Sequence, residues 1–332
     1  MTGKIVLGFS GGVDSAVSAV LLKKSGYEVF GLYLDNSNEE ALSDAQQTAE
    51  YLNIPLAVVD VKDELERKVC RPFAEAYLSG KTPNPCIICN PTLKFAHLVN
   101  YANKIDAEFI ATGHYARTEN SCLYKGNPEN DQSYMLCRIE RDQLARLILP
   151  LGIFPKSEVR KMAKEFGIPV AEKPDSMEIC FIPSKDYISW LGKRTVLPAG
   201  GNFVFHGNII GSHEGIYRWT VGQRIPGLYD GRKLYISNID AADNVIELAL
   251  WEELFKTEIT ATDFHSLCDL PNTQFEASVK VRHTKWENPT CTVSLSENCA
   301  RILCHEPVRA PAAGQSAVLY DGNKVLGGWF IN

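Results

Sequence analysis

Two segments of this chain hold residue types that chemistry needs. The first is Gly8-Phe9-Ser10-Gly11-Gly12-Val13-Asp14-Ser15, which follows the apolar run Lys4 to Phe9 and opens a stretch where Val13, Val17, Val20 and Leu21 share one helical face. A glycine pair between strand and helix permits a tight turn whose backbone N–H groups converge, and the helix start adds partial positive charge. Such a loop can hold a polyphosphate. Ser10 and Ser15 add hydroxyl donors. The loop lacks the lysine of the motif that hydrolyses a terminal phosphate and the spaced glycines of dinucleotide folds, so a different nucleotide chemistry is implied. Asp14, in the first helical turn, either stabilises the helix dipole or helps position magnesium. A bare glycine pair would read more simply as a connecting turn; the full string in its strand and helix setting favours phosphate.

The second segment is Lys81-Thr82-Pro83-Asn84-Pro85-Cys86-Ile87-Ile88-Cys89-Asn90, a proline-bracketed loop presenting two thiols one turn apart. A third thiol, Cys180, lies in Asp175-Ser176-Met177-Glu178-Ile179-Cys180-Phe181. By itself the CxxC spacing suits half of a zinc site, a redox pair or a coincidence, and a structural zinc finger needs a second close pair. Cys291, Cys299 and Cys304, with His305 beside them, read as core or surface thiols of a later region, and so do Cys70, Cys122, Cys137 and Cys268.

The elements that must position these residues follow from length and pattern. A chain of 332 residues suits two or three domains. Its longest apolar run near the start, Ile5 to Phe9, is too short for a signal-peptide core, and no stretch approaches the roughly 20 apolar residues that span a bilayer; the expectation is a cytoplasmic protein. In that compartment ten cysteines argue against a disulfide scaffold. A net charge of −6 requires any nucleic-acid contact to come from a local basic patch. Short apolar runs at Lys4 to Phe9, Glu28 to Leu34, Leu56 to Val61 and Glu108 to His114, with helical stretches between the first three, predict a parallel sheet with binding loops at the strand ends. Leu34 and Gly113 then face one crevice as candidate flanks of an adenine. Helices are predicted over Asn38 to Leu52, Asp142 to Leu149 and Ser157 to Gly167. Beyond Pro198, closely spaced glycines indicate a small domain of strands and loops. From Thr257, alternating runs such as Glu276 to Arg282, Cys291 to Leu295 and Ala317 to Tyr320 predict an antiparallel barrel or sandwich.

The string SGGVDS in its strand-loop-helix setting resembles the pyrophosphate loop of ATP pyrophosphatases, enzymes that cleave ATP to AMP and pyrophosphate while adenylating a carbonyl oxygen. The resemblance narrows further. SGGVDS, TPNPCIICN, TGHYAR at Thr112 to Arg117, DQSYML at Asp131 to Leu136, DSMEICFI at Asp175 to Ile182, TVGQR at Thr220 to Arg224 and PAAGQ at Pro311 to Gln315 fall in the order seen in tRNA-specific 2-thiouridylases. The match covers almost the whole chain. It implies an α/β fold: an N-terminal parallel-sheet ATP-pyrophosphatase domain over 1–195, of the adenine nucleotide alpha hydrolase type. A small central domain over 196–256 and a C-terminal antiparallel β-barrel over 257–332 would follow.

What the resemblance implies about chemistry can be stated residue by residue. ATP and Mg2+ would bind at Gly8, Phe9, Ser10, Gly11, Gly12, Val13, Asp14 and Ser15, with Leu34 and Gly113, and would convert the C2 oxygen of a tRNA wobble uridine to an adenylate. Cys180 would carry a persulfide, and Cys89 would act as partner nucleophile, closing a Cys89 to Cys180 disulfide as sulfur is released. Asn84, Pro85 and Cys86 would touch the target base, while His114, Asn130, Asp131, Gln132, Arg282, His283 and Gln315 would meet the tRNA. Partners would be tRNA of the Lys, Glu and Gln acceptors and a cysteine desulfurase or sulfur-relay protein. One position departs from the pattern: Cys86 stands where much of the family has an aspartate, and a thiol manages protons less well at neutral pH. With that departure, Cys86, Cys89 and Cys180 could instead ligate a 4Fe-4S cluster whose open iron holds hydrosulfide. Asn130 also replaces a lysine common in the family. Two rival readings are an amidating synthetase of the same superfamily, which needs no thiols, and a non-catalytic RNA-binding module.

Overall fold

The computed structural model describes residues 3–174, 179–182, 186–227, 229–270, 273–283 and 288–332. The chain divides into two compact units, the first made of residues 1–69, 86–177 and 323–325 and the second of residues 70–85, 178–322 and 326–332.

The first unit is built on strands β1 (Lys4–Gly8), β2 (Glu28–Asp35), β3 (Leu56–Asp60) and β4 (Phe109–Ala111), then a hairpin of β5 (Ala116–Glu119) and β6 (Cys122–Lys125), and finally β7 (Leu147–Ile148). Five of these form a parallel sheet in the order β3-β2-β1-β4-β7. Ile5, Val6 and Leu7 of β1 are all fully buried, so this strand needs cover on both faces, which is what parallel crossovers provide. Chain order runs outward from β1 to β3 on one side and resumes at β4 on the other. Its carboxyl end is therefore the topological switch point where open α/β sheets bind ligands. The helix Val13–Lys24 starts there, and the helix Glu39–Tyr51 is capped by the Asn38 side chain, which accepts from the Ala41 N–H at 3.0 Å.

Two local expectations change. The helix predicted over Asp142 to Leu149 is a helix only over Arg141–Arg146; Leu147–Ile148 turns extended and pairs with Ile110 and Ala111 of β4. Burial of Leu147 and Leu149 at the sheet edge outweighs helix continuation, and a short apolar run before Pro150 does not distinguish the two. The hairpin β5–β6, unread in the sequence, turns on Asn120 and Ser121, both with positive φ, 48° and 57°. Within the same unit Lys324 pairs with Tyr124 of β6.

In the second unit, β8 (Gly201–Phe205), β9 (Asn208–His213), β10 (Tyr235–Asp240) and β11 (Val245–Ala249) form a four-stranded sheet in the order β10-β11-β8-β9. Strands β12 (Phe255–Ser266), β13 (Gln274–Lys280), β14 (Thr290–Leu295), β15 (Cys299–Arg309), β16 (Ser316–Asp321) and β17 (Lys324–Ile331) follow. They run in the order β12-β15-β14-β13-β16-β17, and β17 pairs back onto β12. The alternating runs left barrel or sandwich open and the resemblance implied a barrel; closure of the ring makes it a barrel, which removes free edges. Its interior holds Ile259, Val293, Ile302, Trp329 and the thiols Cys291 and Cys304, whose pKa values burial pushes up to about 12 and about 11. These are core thiols. The four-stranded sheet and the barrel share packing: Ala310 and Ala312 join the cluster of Phe205, Ile236 and Ile246.

Gly152 backs onto β5, where an added Cβ would lie 1.9 Å from the Ala116 carbonyl oxygen. Gly152→Ala is expected to destabilise the first unit by about 3 kcal/mol. Denaturant unfolding checks this, and an unchanged midpoint would refute the close packing of the two backbones.

Candidate functional site

The glycine loop follows β1 directly. Phe9 is still tied to the sheet through its N–H to the Leu32 carbonyl at 2.8 Å, and the chain then turns at Gly11, with φ 75°. No other residue fits there: a Cβ on Gly11 would lie 2.6 Å from the Ala41 carbonyl oxygen and 2.8 Å from the Ala45 nitrogen. The loop is thus pressed onto the helix Glu39–Tyr51. Ser15 donates to the Gly12 carbonyl at 2.9 Å, and the Ser10 and Ser15 hydroxyls lie 3.4 Å apart. The first turn of the following helix presents N–H groups without internal partners, the feature that suits anions.

Sequence reading left Asp14 between helix-dipole and magnesium roles; the structure gives its carboxylate two side-chain partners. Lys156 Nζ donates to Oδ1 at 2.6 Å and to Oδ2 at 2.7 Å, and the Tyr115 hydroxyl donates to Oδ1 at 2.6 Å. The lysine missing from the loop is supplied from the first residue of the helix Lys156–Glu165, packed through Val159 and Ala163 against Val13 and Val17. Neither Lys156 nor Tyr115 was singled out in the sequence. Tyr115 carried a signal, its place in TGHYAR; Lys156 lies 142 positions from Asp14 and carried none. Gly113 packs against Asp14 so closely that a Cβ would lie 3.0 Å from the Asp14 carbonyl carbon. Leu34 is half-buried near the end of β2.

His114 follows Gly113, and its Nδ1 lies 2.7 Å from the Thr112 hydroxyl. Burial pushes its imidazole well below the usual histidine range, and the charge of Lys94 adds to the effect. It is neutral at pH 7. Of the neighbouring Asn130, Asp131 and Gln132, the last braces the same loop. Asp131 accepts from the Gly126 and Ser133 N–H groups and from the Ser133 hydroxyl; Gln132 accepts from the Tyr115 N–H at 3.0 Å and donates its own N–H to the Tyr115 carbonyl. The Asn130 side-chain oxygen is buried with no hydrogen-bond partner.

The two loop cysteines sit on a helix. Pro85–Cys89 is helical with proline at its first position, Ile87 is buried as the anchor, Cys86 is exposed and Cys89 is half-buried. At three-residue spacing both thiols share one helix face. The helix passes into a wider π-turn segment, Asn90–Phe95, where Pro91 cannot donate a backbone hydrogen bond. In the second unit the PAAGQ turn grips the segment before Asn84: the Thr82 N–H donates to the Ala313 carbonyl at 2.8 Å, and Gln315 Nε2 donates to the Thr82 carbonyl at 2.6 Å. Cys180, also in that unit, is exposed. Residues 175–178 of its motif lie outside the described residues. Arg282 spends donors on the Ala310 and Val221 carbonyls, and His283 beside it is exposed. Among the described residues no group of three or more His, Cys, Asp or Glu side chains is placed to hold a metal. No helix among them is long and apolar enough to cross a membrane.

A parallel sheet with a glycine phosphate loop at its switch point, joined to a small sheet and a closed β-barrel, defines a nucleotide-dependent enzyme of the ATP-pyrophosphatase class. Family models match in the same succession: a tRNA methyl transferase HUP domain over residues 3–184, a tRNA methyl transferase PRC-barrel domain over 193–249 and an aminomethyltransferase beta-barrel domain over 256–331. The tRNA-specific 2-thiouridylase MnmA of Clostridium botulinum (strain Eklund 17B / Type B) is 37% identical over 99% of this chain and 97% of its own length. That of Geotalea uraniireducens (strain Rf4) is 38% identical over 99% and 94%. The chain belongs to the MnmA family of tRNA-specific 2-thiouridylases.

Lys156→Met is expected to weaken ATP binding roughly ten- to hundredfold, the range of a lost charge-assisted contact, as measured by calorimetric titration. Unchanged affinity would remove Lys156 from the site. For His114 the folded pKa lies below the unfolded one, so protons favour the unfolded state and stability falls as pH drops below about 6.5. His114→Gln should lose less stability than the parent between about pH 7 and about pH 5 in denaturant titrations; an equal loss in both proteins would contradict the buried neutral imidazole.

Proposed function

We propose that this chain is a tRNA-uridine 2-sulfurtransferase. The observation that carries the reading is the bracketed glycine loop at the switch point, in a chain that also supplies Cys89 on a short helix and Cys180 exposed in a turn. The phosphates of ATP lie against Gly8 to Ser15, with Lys156 beside them as fixed positive charge. Magnesium arrives with the triphosphate; Asp14, whose carboxylate is engaged by Lys156 and Tyr115, serves to fix those two groups. The C2 oxygen of the wobble uridine attacks the α-phosphorus, pyrophosphate leaves, and the ring carries an AMP leaving group.

Sulfur then enters through thiols. The terminal sulfur of a Cys180 persulfide attacks C2 and AMP departs with the C–O bond's electron pair. The Cys89 thiolate next attacks the Cys180 sulfur, a Cys89–Cys180 disulfide forms, and the electron pair of the broken S–S bond stays with the base as 2-thiouridine. A dithiol reductant resets the disulfide, and a sulfane-sulfur carrier protein reloads Cys180. Every step here runs through the thiols alone. Cys86, exposed on the face it shares with Cys89, stands beside the target base with Asn84 and Pro85. His114, Asn130 to Gln132, Arg282, His283 and Gln315 are proposed as the tRNA-facing set, with Arg282 and Gln315 acting through the backbone segments they hold.

Incubation with MgATP, a persulfide donor and unmodified tRNA, followed by digestion to nucleosides, should yield 2-thiouridine. Cys89→Ser and Cys180→Ser should each abolish it while leaving ATP-dependent pyrophosphate release. Full turnover in both variants would sink the thiol mechanism and favour an adenylating enzyme that uses another nucleophile.

A further inference from the structure

Cys180 occupies a hydrogen-bonded turn. The Ile182 N–H donates to the Ile179 carbonyl at 2.9 Å, so Cys180 and Phe181 are its two central residues. The pair divides its labour: Cys180 is exposed, while Phe181 points into an aromatic seat and Ile182 is 2% exposed. The Phe181 ring meets Phe73 edge-on at 5.4 Å between centroids and Trp190 at 5.4 Å, and Phe73 and Trp190 meet each other edge-on at 5.8 Å. Three rings in mutual contact fix both the position and the tilt of the middle one, because each pair has preferred edge and offset geometries.

The seat is itself held from behind. Trp190 lies on the helix Tyr187–Gly192, capped by the Asp186 side chain accepting from the Ser189 N–H at 3.0 Å, and the Arg194 guanidinium covers its ring at 3.7 Å. Phe73 lies on the helix Arg71–Leu78, whose Tyr77 packs on Phe73 at 4.9 Å and on Tyr187 at 5.1 Å. The same helix leads through Gly80 to Thr82, the residue gripped by Ala313 and Gln315. One rigid ring cluster thus sits a single residue from an exposed thiol.

We infer that Phe181, seated between Phe73 and Trp190, is a positioning residue that aims the Cys180 sulfur during sulfur transfer. This rests on the reading of Cys180 as the sulfur carrier. Adjacent Cα atoms are about 3.8 Å apart across a planar peptide, so the seat of the Phe181 ring limits where the neighbouring thiol can lie. Misplacing a reacting atom by about 1 Å costs up to a hundredfold in rate. Adenylation uses none of these residues and is left intact when the seat is loosened.

The test is a single turnover of the full-length protein with MgATP, unmodified tRNA and a persulfide donor, following pyrophosphate release and 2-thiouridine formation in parallel. Phe181→Ala should keep pyrophosphate release within about twofold and slow thiolation by at least about tenfold, and Phe181→Tyr, which retains the ring, should restore thiolation to within about threefold of the parent. Undiminished thiolation in Phe181→Ala overturns the proposal. If both steps collapse together in that variant, Phe73→Leu decides: selective loss of thiolation supports the aromatic seat, and joint loss or no loss overturns it. Cys180→Ser separates the two levels. Thiolation surviving in Cys180→Ser overturns the carrier reading and the proposal with it, whereas a dead Cys180→Ser beside an active Phe181→Ala overturns the proposal alone.

Discussion

The carboxylate of Asp14 is where the first unit's sequence-distant parts meet. It takes both hydrogen bonds of a lysine from a helix far along the chain and a third from a tyrosine that follows β4. A buried or half-buried carboxylate left without such partners would be costly, and a lysine ammonium beside it equally so. Pairing them fixes the entry to the helix Val13–Lys24, the start of the helix Lys156–Glu165 and the loop after β4 around one point. Gly113 packs its backbone tightly against Asp14, and Gly11 is pressed onto Ala41 and Ala45 on the other side of the loop.

For the proposed phosphate site, the consequence is a cation that Asp14 positions before any ligand arrives. The loop contributes backbone and hydroxyl donors, and Lys156 contributes a charge already oriented by Asp14. Preorganised donors of this kind act without reorganisation at the moment charge develops. The neutral His114 beside them adds a hydrogen-bonding group without adding charge, since its burial and the nearby Lys94 keep its proton off.

Within the second unit the turn that carries Cys180 is held by a different kind of force. Ring contacts and a buried Ile182 fasten it, and the two hydrogen bonds from the PAAGQ turn to Thr82 hold the segment that leads toward Cys86. Apolar anchoring next to an exposed thiol suits a group that must be loaded and then discharged, because the anchor tolerates changes in what the sulfur carries. Arg282 illustrates the same economy: its guanidinium ties the Val221 and Ala310 carbonyls, joining the barrel to the small sheet.

Local pattern was enough to reveal the parallel sheet, the glycine loop and the helix that begins at Asn38, because period-two and period-3.6 burial and turn chemistry are written in neighbouring residues. The thiol motifs were equally legible as strings. Leu147–Ile148 was not, since an apolar pair before a proline suits helix or strand until the edge of β4 is present to receive it. Nor was the closure of the barrel, which depends on pairing between β12 and β17, or the Asn120-Ser121 turn, which pays for positive φ only through the hairpin it allows. The partners of Asp14 and the aromatic seat of Phe181 belong to the same class. Each joins residues distant in sequence whose contact follows from packing, and a charge or a ring carries no local mark of which remote group will answer it.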